Sequence, residues 1–169
     1  DTMIYEKSGA FERHGHKTYP QAFEFMFVLS KGAPKTFNII RDVPNAKAGA
    51  KHKPWLRQPD GSMKRGPSWG KEIREVGART NIWRYNTGWT SAEEKLAFDH
   101  PAIMPEALAK DHIATWTNPG DVVLDPFSGS GTTCKAAKAL NRQWCGIEIN
   151  PDYCKIAEAR LSQDVLQLE

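Results

Sequence analysis

The strongest constraint on the fold is a strand, a glycine-rich turn and a helix that follow one another near the C-terminal end of the sequence. Residues 122–124 (VVL) predict a short buried strand, residues 125–133 (DPFSGSGTT) a turn, and residues 133–140 an amphipathic helix. A second strand at 144–147 (WCGI) follows, and an Asn-Pro pair then opens a helix over residues 150–161. The order βαβα predicts an α/β fold with a mostly parallel sheet and flanking helices.

Regular secondary structure is predicted for only parts of the rest of the chain. Residues 23–29 (FEFMFVL) are aromatic and apolar and predict a buried strand, and residues 81–85 (NIWRY) predict a second, short one. Residues 45–77 keep no helical or strand period, so we expect a long loop or insertion there, and such stretches are usually functional or disordered. Pro105 can open a further helix. Its apolar face would consist of Ala109, His112, Ile113 and Trp116.

Charge is distributed unevenly along the 169 residues. The net charge of +3 divides into +1 for residues 1–46, +7 for residues 47–84 and −5 for residues 85–169. A compact basic block in an otherwise neutral or acidic chain is typical of a surface that contacts a polyanion such as nucleic acid. The longest apolar run is far shorter than the roughly 20 residues that cross a bilayer. We therefore expect a cytoplasmic protein without a membrane partner, although the missing initiator Met is typical of an internal piece of a longer chain.

The βα turn has the chemistry of a nucleoside site. A helix N-terminus after a parallel strand presents unpaired backbone N–H groups, and Gly129 and Gly131 let a ligand approach the backbone closely. Glu148 follows the next strand and can accept hydrogen bonds from both ribose hydroxyls. Cys134 occupies the position of the third glycine of a dinucleotide fingerprint, and no Lys follows the turn as in a P-loop. Asp125 at the strand end instead suits the ammonium or sulfonium side of S-adenosylmethionine.

Segments 118–133 (NPGDVVLDPFSGSGTT) and 146–151 (GIEINP) closely resemble the S-adenosylmethionine motifs of amino-group DNA methyltransferases. The permuted β group of that family, which methylates adenine N6 or cytosine N4, places these motifs near its C-terminus. Residues 100–105 (HPAIMP) resemble a further cofactor motif, and residues 23–32 resemble the central strand of the family and the turn after it. The resemblance implies a Rossmann-like S-adenosylmethionine-dependent methyltransferase fold with a loop-rich basic insertion.

The same resemblance implies which residues would bind S-adenosylmethionine. Glu148 would hold the ribose, with Ile149 and Asn150 beside the adenine. The remaining residues would line or close the methionine end, and they are Pro101, Ala102, Asp125, Phe127, Ser128, Gly129, Gly131 and Thr132.

The basic block lies where the family keeps its DNA-reading insertion, so the resemblance implies double-stranded DNA as partner. Residues 1–46 would then belong to the catalytic subdomain, residues 47–84 to target recognition and residues 85–169 to cofactor binding. Trp55 and Trp69 either stack on bases or anchor the loop. The side chains expected to contact phosphates are Lys51, Lys53, Arg57, Lys64 and Arg65.

One part of the family's machinery is absent from the sequence. Members need Asp, Asn or Ser followed by Pro-Pro and an aromatic residue, which hold a flipped base and its amino group. The sequence contains no Pro-Pro dipeptide, so we assign no catalytic residue and expect this motif upstream. The interpretation is a site-specific DNA methyltransferase, as in restriction-modification.

Three alternatives to a complete methyltransferase stay open. The chain could be a non-catalytic subunit that binds S-adenosylmethionine or DNA, a degenerate methyltransferase or, least favoured, a nicotinamide oxidoreductase.

The oligomeric state is open, with a homodimer as one option. No metal site is expected, because His14 and His16, one residue apart in a turn, are more often surface residues. The three cysteines form no Cys-x-x-Cys pair, so we expect them to be reduced and to serve packing.

Overall fold

The computed structural model describes residues 1–8, 17–86 and 104–162. The chain divides into a larger unit, Asp1–Asn38 together with Asn81–Glu169, and an insertion unit, Ile39–Thr80. In chain order the elements are β1 (Thr2–Ser8), β2 (Phe23–Phe27), β3 (Arg41–Pro44), β4 (Trp55–Arg57), β5 (Met63–Arg65), β6 (Val76–Ala78), β7 (Ile82–Asn86), α1 (Glu106–Trp116), β8 (Val122–Asp125), α2 (Thr132–Ala139), β9 (Gln143–Gly146) and α3 (Pro151–Ser162).

The last four elements of the larger unit form the βαβα unit that the sequence predicts. Strands β8 and β9 pair in parallel, from Val122 opposite Gln143 to Asp125 opposite Gly146, and α2 connects them. Helices α1 and α2 pack together over small side chains. Their core consists of Ala109, Ile113, Ala136 and Ala137, with Val123 and Leu140 packed against it.

The sheets are smaller and more mixed than the sequence predicts. A three-stranded sheet has the order β2-β1-β7, in which β1 pairs with β2 antiparallel and with β7 parallel. The β8–β9 pair is a separate two-stranded sheet. The described residues therefore form a mixed α/β fold with small sheets rather than the expected mostly parallel sheet.

The predicted burial of two strands is wrong. Residues 23–27 do form β2, but β2 is an edge strand rather than a central one, and Phe25 and Phe27 are 60% and 68% exposed. In β8, Val123 packs on the helical core while Val122 and Leu124 are exposed. Both errors have one cause, because an apolar side chain is buried only where another element covers that face of its strand.

The helix boundaries follow the sequence signals. The Asn150 side chain caps α3, since its Oδ1 accepts the Asp152 N–H at 2.9 Å. Pro105 immediately precedes α1, as the sequence predicts, and the buried face of α1 also includes Leu108 and Thr115. Among the described residues, no helix has both the length and the apolar character that crossing a bilayer requires.

The insertion unit contains strands that the sequence did not reveal, so the expectation of a structureless loop over residues 45–77 is wrong. Strand β3 pairs with β6, β4 pairs with β5, and Lys51 forms an isolated bridge with Glu72. These short strands are almost entirely exposed and so carry no periodic hydrophobic pattern. The unit begins at Ile39 and ends at Thr80, whereas the sequence predicts an insertion over residues 47–84.

Candidate functional site

Backbone hydrogen bonds join the turn after β8 to the chain after β9. The Ile147 N–H donates to the Asp125 carbonyl oxygen, and the Ser128 N–H donates to the Ile147 carbonyl oxygen, both at 2.9 Å. Within the turn, Asp125 Oδ1 accepts the Phe127 N–H at 3.0 Å. These bonds hold the carboxyl ends of the two parallel strands together, which is where ligands bind in open α/β folds.

The Glu148 carboxylate connects the glycine turn to the start of α3. Its Oε2 accepts the Gly129 N–H and its Oε1 accepts the Asn150 N–H, each at 2.8 Å. Two bonds to backbone donors, one on each oxygen, fix the carboxylate orientation. The structure thus brings together the glycine turn and the acid that sequence reasoning proposed for the ribose.

Two glycines permit close packing around this turn. Gly131 has φ of +79°, and a Cβ there would lie 2.8 Å from the Ala157 Cβ of α3. A Cβ on Gly146 would lie 2.7 Å from Ser128 Oγ and 2.8 Å from Cys134 Sγ. Neither position has space for a side chain, and Gly131 also has a backbone conformation that favours glycine.

Sequence reasoning missed Arg160, which lies directly behind the glycine turn. Its side chain is buried, with 3% of its surface exposed. Nη1 donates to the Ser130 carbonyl oxygen at 2.6 Å, to Ser130 Oγ at 3.0 Å and to Thr132 Oγ1 at 3.2 Å. A signal was available, because Arg160 follows Ala157 by three residues and Ile156 by four, on the apolar face of α3.

The other proposed cofactor residues differ widely in exposure. Phe127 and Ile149 are 88% and 98% exposed. Gly131 and Thr132 are buried within the turn, so they contribute backbone geometry more than surface. Pro101 and Ala102 lie outside the described residues.

Two open cavities are lined by described residues that do not include this turn. A cavity of about 630 Å³ in the insertion unit has Arg41 and Arg74 in its lining. A second cavity, of about 290 Å³ in the larger unit, is lined by the end of β7 and the start of α1. None of the described residues proposed for the cofactor lines either cavity.

The β4–β5 hairpin carries three of the five residues proposed to contact DNA. Trp55 pairs with Arg65, and Arg57 pairs with Met63, so these four side chains share one face, while Lys64 lies on the other. The Arg65 guanidinium lies 4.8 Å from the centroid of the Trp69 ring, which also packs edge-on against Trp55.

The remaining two proposed contacts, Lys51 and Lys53, precede β4 and are exposed, as are Arg57, Lys64 and Arg65. The unit as a whole carries ten Lys or Arg against four Asp or Glu. Its exposed basic side chains match the surface expected of a polyanion-binding module.

The cysteines and histidines form no metal cluster among the described residues, a range that does not include His14 and His16. All three cysteines are free thiols. Burial raises the pKa of the Cys134 thiol, which outweighs the opposing hydrogen bond with Ser128. Cys134 therefore stays protonated at neutral pH and packs beneath the turn.

Comparison with known proteins identifies relatives over nearly the whole chain. A family model described as DNA methylase matches residues 1–159. The orphan methyltransferase M.BamHII of Bacillus amyloliquefaciens is 47% identical over 169 residues, which cover 98% of this chain and 63% of the relative. The DNA adenine methyltransferase YhdJ of Escherichia coli strain K12 is 52% identical over 63 residues, or 37% of this chain and 21% of the relative.

A solved structure of similar fold is the M1.HpyAVI–SAM complex. Its TM-score is 0.58 at 29% sequence identity, over 96% of this chain and 62% of that chain. The chain thus spans less than two thirds of the length of each of these relatives.

Proposed function

The chain belongs to the N6/N4 DNA methylase family, and we propose that it provides the cofactor-binding part and a DNA-contacting insertion of a site-specific DNA amino-methyltransferase. The observation that carries the proposal is the Glu148 carboxylate, oriented by two backbone N–H groups beside the glycine turn. In this proposal residues 85–169 bind S-adenosylmethionine, residues 47–84 recognise the target and residues 1–46 belong to the catalytic subdomain. The β8–β9 pair would extend into a larger, mostly parallel sheet in the whole protein.

The side chains around the turn are compatible with S-adenosylmethionine. A carboxylate has acceptor capacity for about four hydrogen bonds, so the two N–H groups that orient Glu148 are compatible with the vicinal hydroxyls of a ribose. Ile149 offers an exposed apolar side chain for the adenine. Asp125, at the end of β8, supplies a negative charge near the cationic methionine end. Phe127, Ser128, Gly129, Gly131, Thr132 and Asn150 complete the proposed site, with Pro101 and Ala102.

The chain's own residues would bind the cofactor and orient its methyl group. When bound, S-adenosylmethionine supplies an electrophilic methyl group on its sulfonium. Glu148 and the turn would fix the nucleoside, and alignment of the methyl group with the acceptor amine would provide much of the rate enhancement. The amine itself would be held by a Pro-Pro-aromatic motif, which these 169 residues lack and which we place upstream.

Calorimetric titration of the intact protein with S-adenosylmethionine tests the cofactor site. Replacing Glu148 with Ala removes an acceptor of two backbone N–H groups, so we expect the binding free energy to weaken by about 1–3 kcal/mol. The matched control is Glu158→Gln on the exposed side of α3, which should bind as the wild type does. Equal affinity of the Glu148→Ala variant and the wild type would contradict the proposed site.

We propose double-stranded DNA as the partner of the insertion unit. Each Lys or Arg contact with a phosphate steepens the dependence of log K on log salt by about 0.9. Replacing Lys51, Lys53, Arg57, Lys64 and Arg65 together with Ala should therefore flatten the salt dependence of duplex binding by several units. The control is Lys155→Ala, at an exposed ion pair on α3. An unchanged slope in the fivefold variant would place the DNA contact elsewhere.

A non-catalytic subunit or a degenerate methyltransferase is the second candidate, favoured by the absence of a Pro-Pro dipeptide. Incubation of the intact protein with radiolabelled S-adenosylmethionine and duplex DNA, followed by nucleoside analysis, separates the candidates. Label in N6-methyladenine or N4-methylcytosine supports the enzyme and identifies the base. Cofactor binding without label in DNA supports the binding subunit.

A further inference from the structure

Arg160 is an arginine whose burial calls for an explanation. It lies near the end of α3, is 3% exposed, and donates to three oxygen atoms of residues Ser130 and Thr132. A guanidinium is removed from water only at a large desolvation cost, so hydrogen-bond partners must compensate for it. These three oxygen atoms belong to Ser130, which lies between the two glycines, and to Thr132, the first residue of α2.

The first turn of α2 is an unfavourable place for a cation on the electrostatics of that helix alone, although Arg160 also lies in the last turn of α3, whose C-terminus favours one. The first turn of α2 begins at Thr132, and a helix N-terminus carries partial positive charge that favours anions. A buried arginine at this point is therefore not explained by stabilisation of α2 through its dipole. Its five N–H donors in a rigid planar fork are, in contrast, well suited to fixing several oxygen atoms in one arrangement.

Helix α3 supports the turn at a second point. Ala157, one helical turn before Arg160, approaches so closely that a Cβ on Gly131 would lie 2.8 Å from its own Cβ. The small residue and the arginine thus hold three consecutive residues, Ser130, Gly131 and Thr132, against one face of α3. The residue just before them, Gly129, donates the N–H that orients Glu148.

We propose that Arg160 is a positioning residue for the cofactor site. It holds residues 130–132 in the conformation that keeps the Gly129 N–H at the Glu148 carboxylate, without touching the cofactor itself. This inference rests on the proposed function, because it assigns a role in S-adenosylmethionine binding. Arg160 lies outside the glycine turn, and its loss should weaken cofactor binding and leave DNA contacts intact.

The test compares Arg160→Ala, Arg160→Lys and Arg142→Ala in the intact protein. Arg142 is a matched control, because it is a half-buried arginine that donates to the Thr117 and Leu140 carbonyl oxygens, away from the turn. For Arg160→Ala we expect at least a tenfold weaker affinity for S-adenosylmethionine and unchanged duplex affinity, measured at a temperature where circular dichroism shows a folded protein. Arg160→Lys should recover part of the loss, since a single ammonium can reach some of the same oxygens.

Chemical rescue distinguishes positioning from a loss of stability. Addition of about 10–50 mM guanidinium chloride, far below the molar range in which it denatures small domains, should restore much of the cofactor affinity of Arg160→Ala. The same concentration of sodium chloride should not.

Wild-type affinity in Arg160→Ala would overturn the inference, and so would an equal loss in Arg142→Ala. Failure of the wild-type protein to bind S-adenosylmethionine would instead refute the proposed function.

Discussion

Gly131 offers the sharpest test of how the glycine turn is built, through the substitution Gly131→Ala. A non-glycine residue in the left-handed region costs roughly 1–2 kcal/mol, and Gly131 has φ of +79°. The added methyl would also lie 2.8 Å from the Ala157 Cβ and 3.2 Å from its Cα, closer than the roughly 3.5–4.0 Å of a normal carbon contact. Overpacking of this kind costs about 1–3 kcal/mol. Gly131→Ala should therefore lower the free energy of unfolding by about 2–5 kcal/mol.

Gly120 provides a control that separates backbone strain from the clash. Its φ is +89°, and a Cβ there would meet nothing within 4 Å. Gly120→Ala should therefore show the strain alone, about 1–2 kcal/mol. The difference between the two variants measures the contact with α3.

Urea unfolding followed by circular dichroism gives both values, and a double variant checks the cause. In Gly131→Ala/Ala157→Gly the methyl at 2.8 Å is removed from α3, so most of the clash energy should disappear, although the contact with Cα at 3.2 Å stays. A glycine inside the helix adds up to about 1 kcal/mol of its own cost. The reasoning is refuted if Gly131→Ala is no more destabilising than Gly120→Ala. It is also refuted if the two substitutions of the double variant are simply additive.

Three further predictions concern the packing and ionisation of the larger unit. Gly146→Ala should destabilise by about 1–3 kcal/mol in urea unfolding, and Cys134→Ala in the same chain should recover part of this loss, because the sulfur lies 2.8 Å from the added methyl. Burial lowers the pKa of His112, against an opposing effect of Asp111. The unfolded chain therefore takes up a proton before the folded one does, so the free energy of unfolding should fall as the pH drops below about 6.5. His112→Gln should not show this dependence on pH. Burial would raise the pKa of Glu106, but Lys110 and Lys135 lower it overall. Its stabilising contribution should be complete above about pH 4.3 and disappear as the pH falls through the lowered pKa, a loss that thermal melts of Glu106→Gln would not show.

Local signals in the sequence were sufficient for the βαβα unit and for the family. Asn150 caps α3 as predicted, because Asn is a favoured N-cap residue and Pro is favoured at the first helical position. Gly129 and Glu148 lie together, since consecutive parallel strands end at the same edge of their sheet. The resemblance to amino-group DNA methyltransferases is confirmed by the family match over residues 1–159. The roles of individual residues in binding stay predictions.

Burial was harder to predict than secondary structure. The aromatic residues of β2 identify a strand, but only the neighbouring elements decide whether Phe25 and Phe27 are covered, and here they are exposed. The prediction for the insertion unit failed in the opposite way, because strands are present there that the sequence did not indicate. Its hairpin over residues 55–65 is held by backbone pairing and exposed on both faces, so no alternation of polar and apolar residues marks it.

Arg160 shows why the candidate site was only partly visible. Motif reasoning finds residues whose type suits a ligand, and it therefore found Glu148 and the glycines. A residue that acts on the backbone of the turn needs donors rather than ligand chemistry, and its role depends on a helix that returns to the turn 28 to 30 residues later. An arginine on the apolar face of an amphipathic helix is the one local sign of such a role. Charged residues on predicted core faces are therefore worth testing as supports of a neighbouring site, because their burial requires partners that the fold must provide.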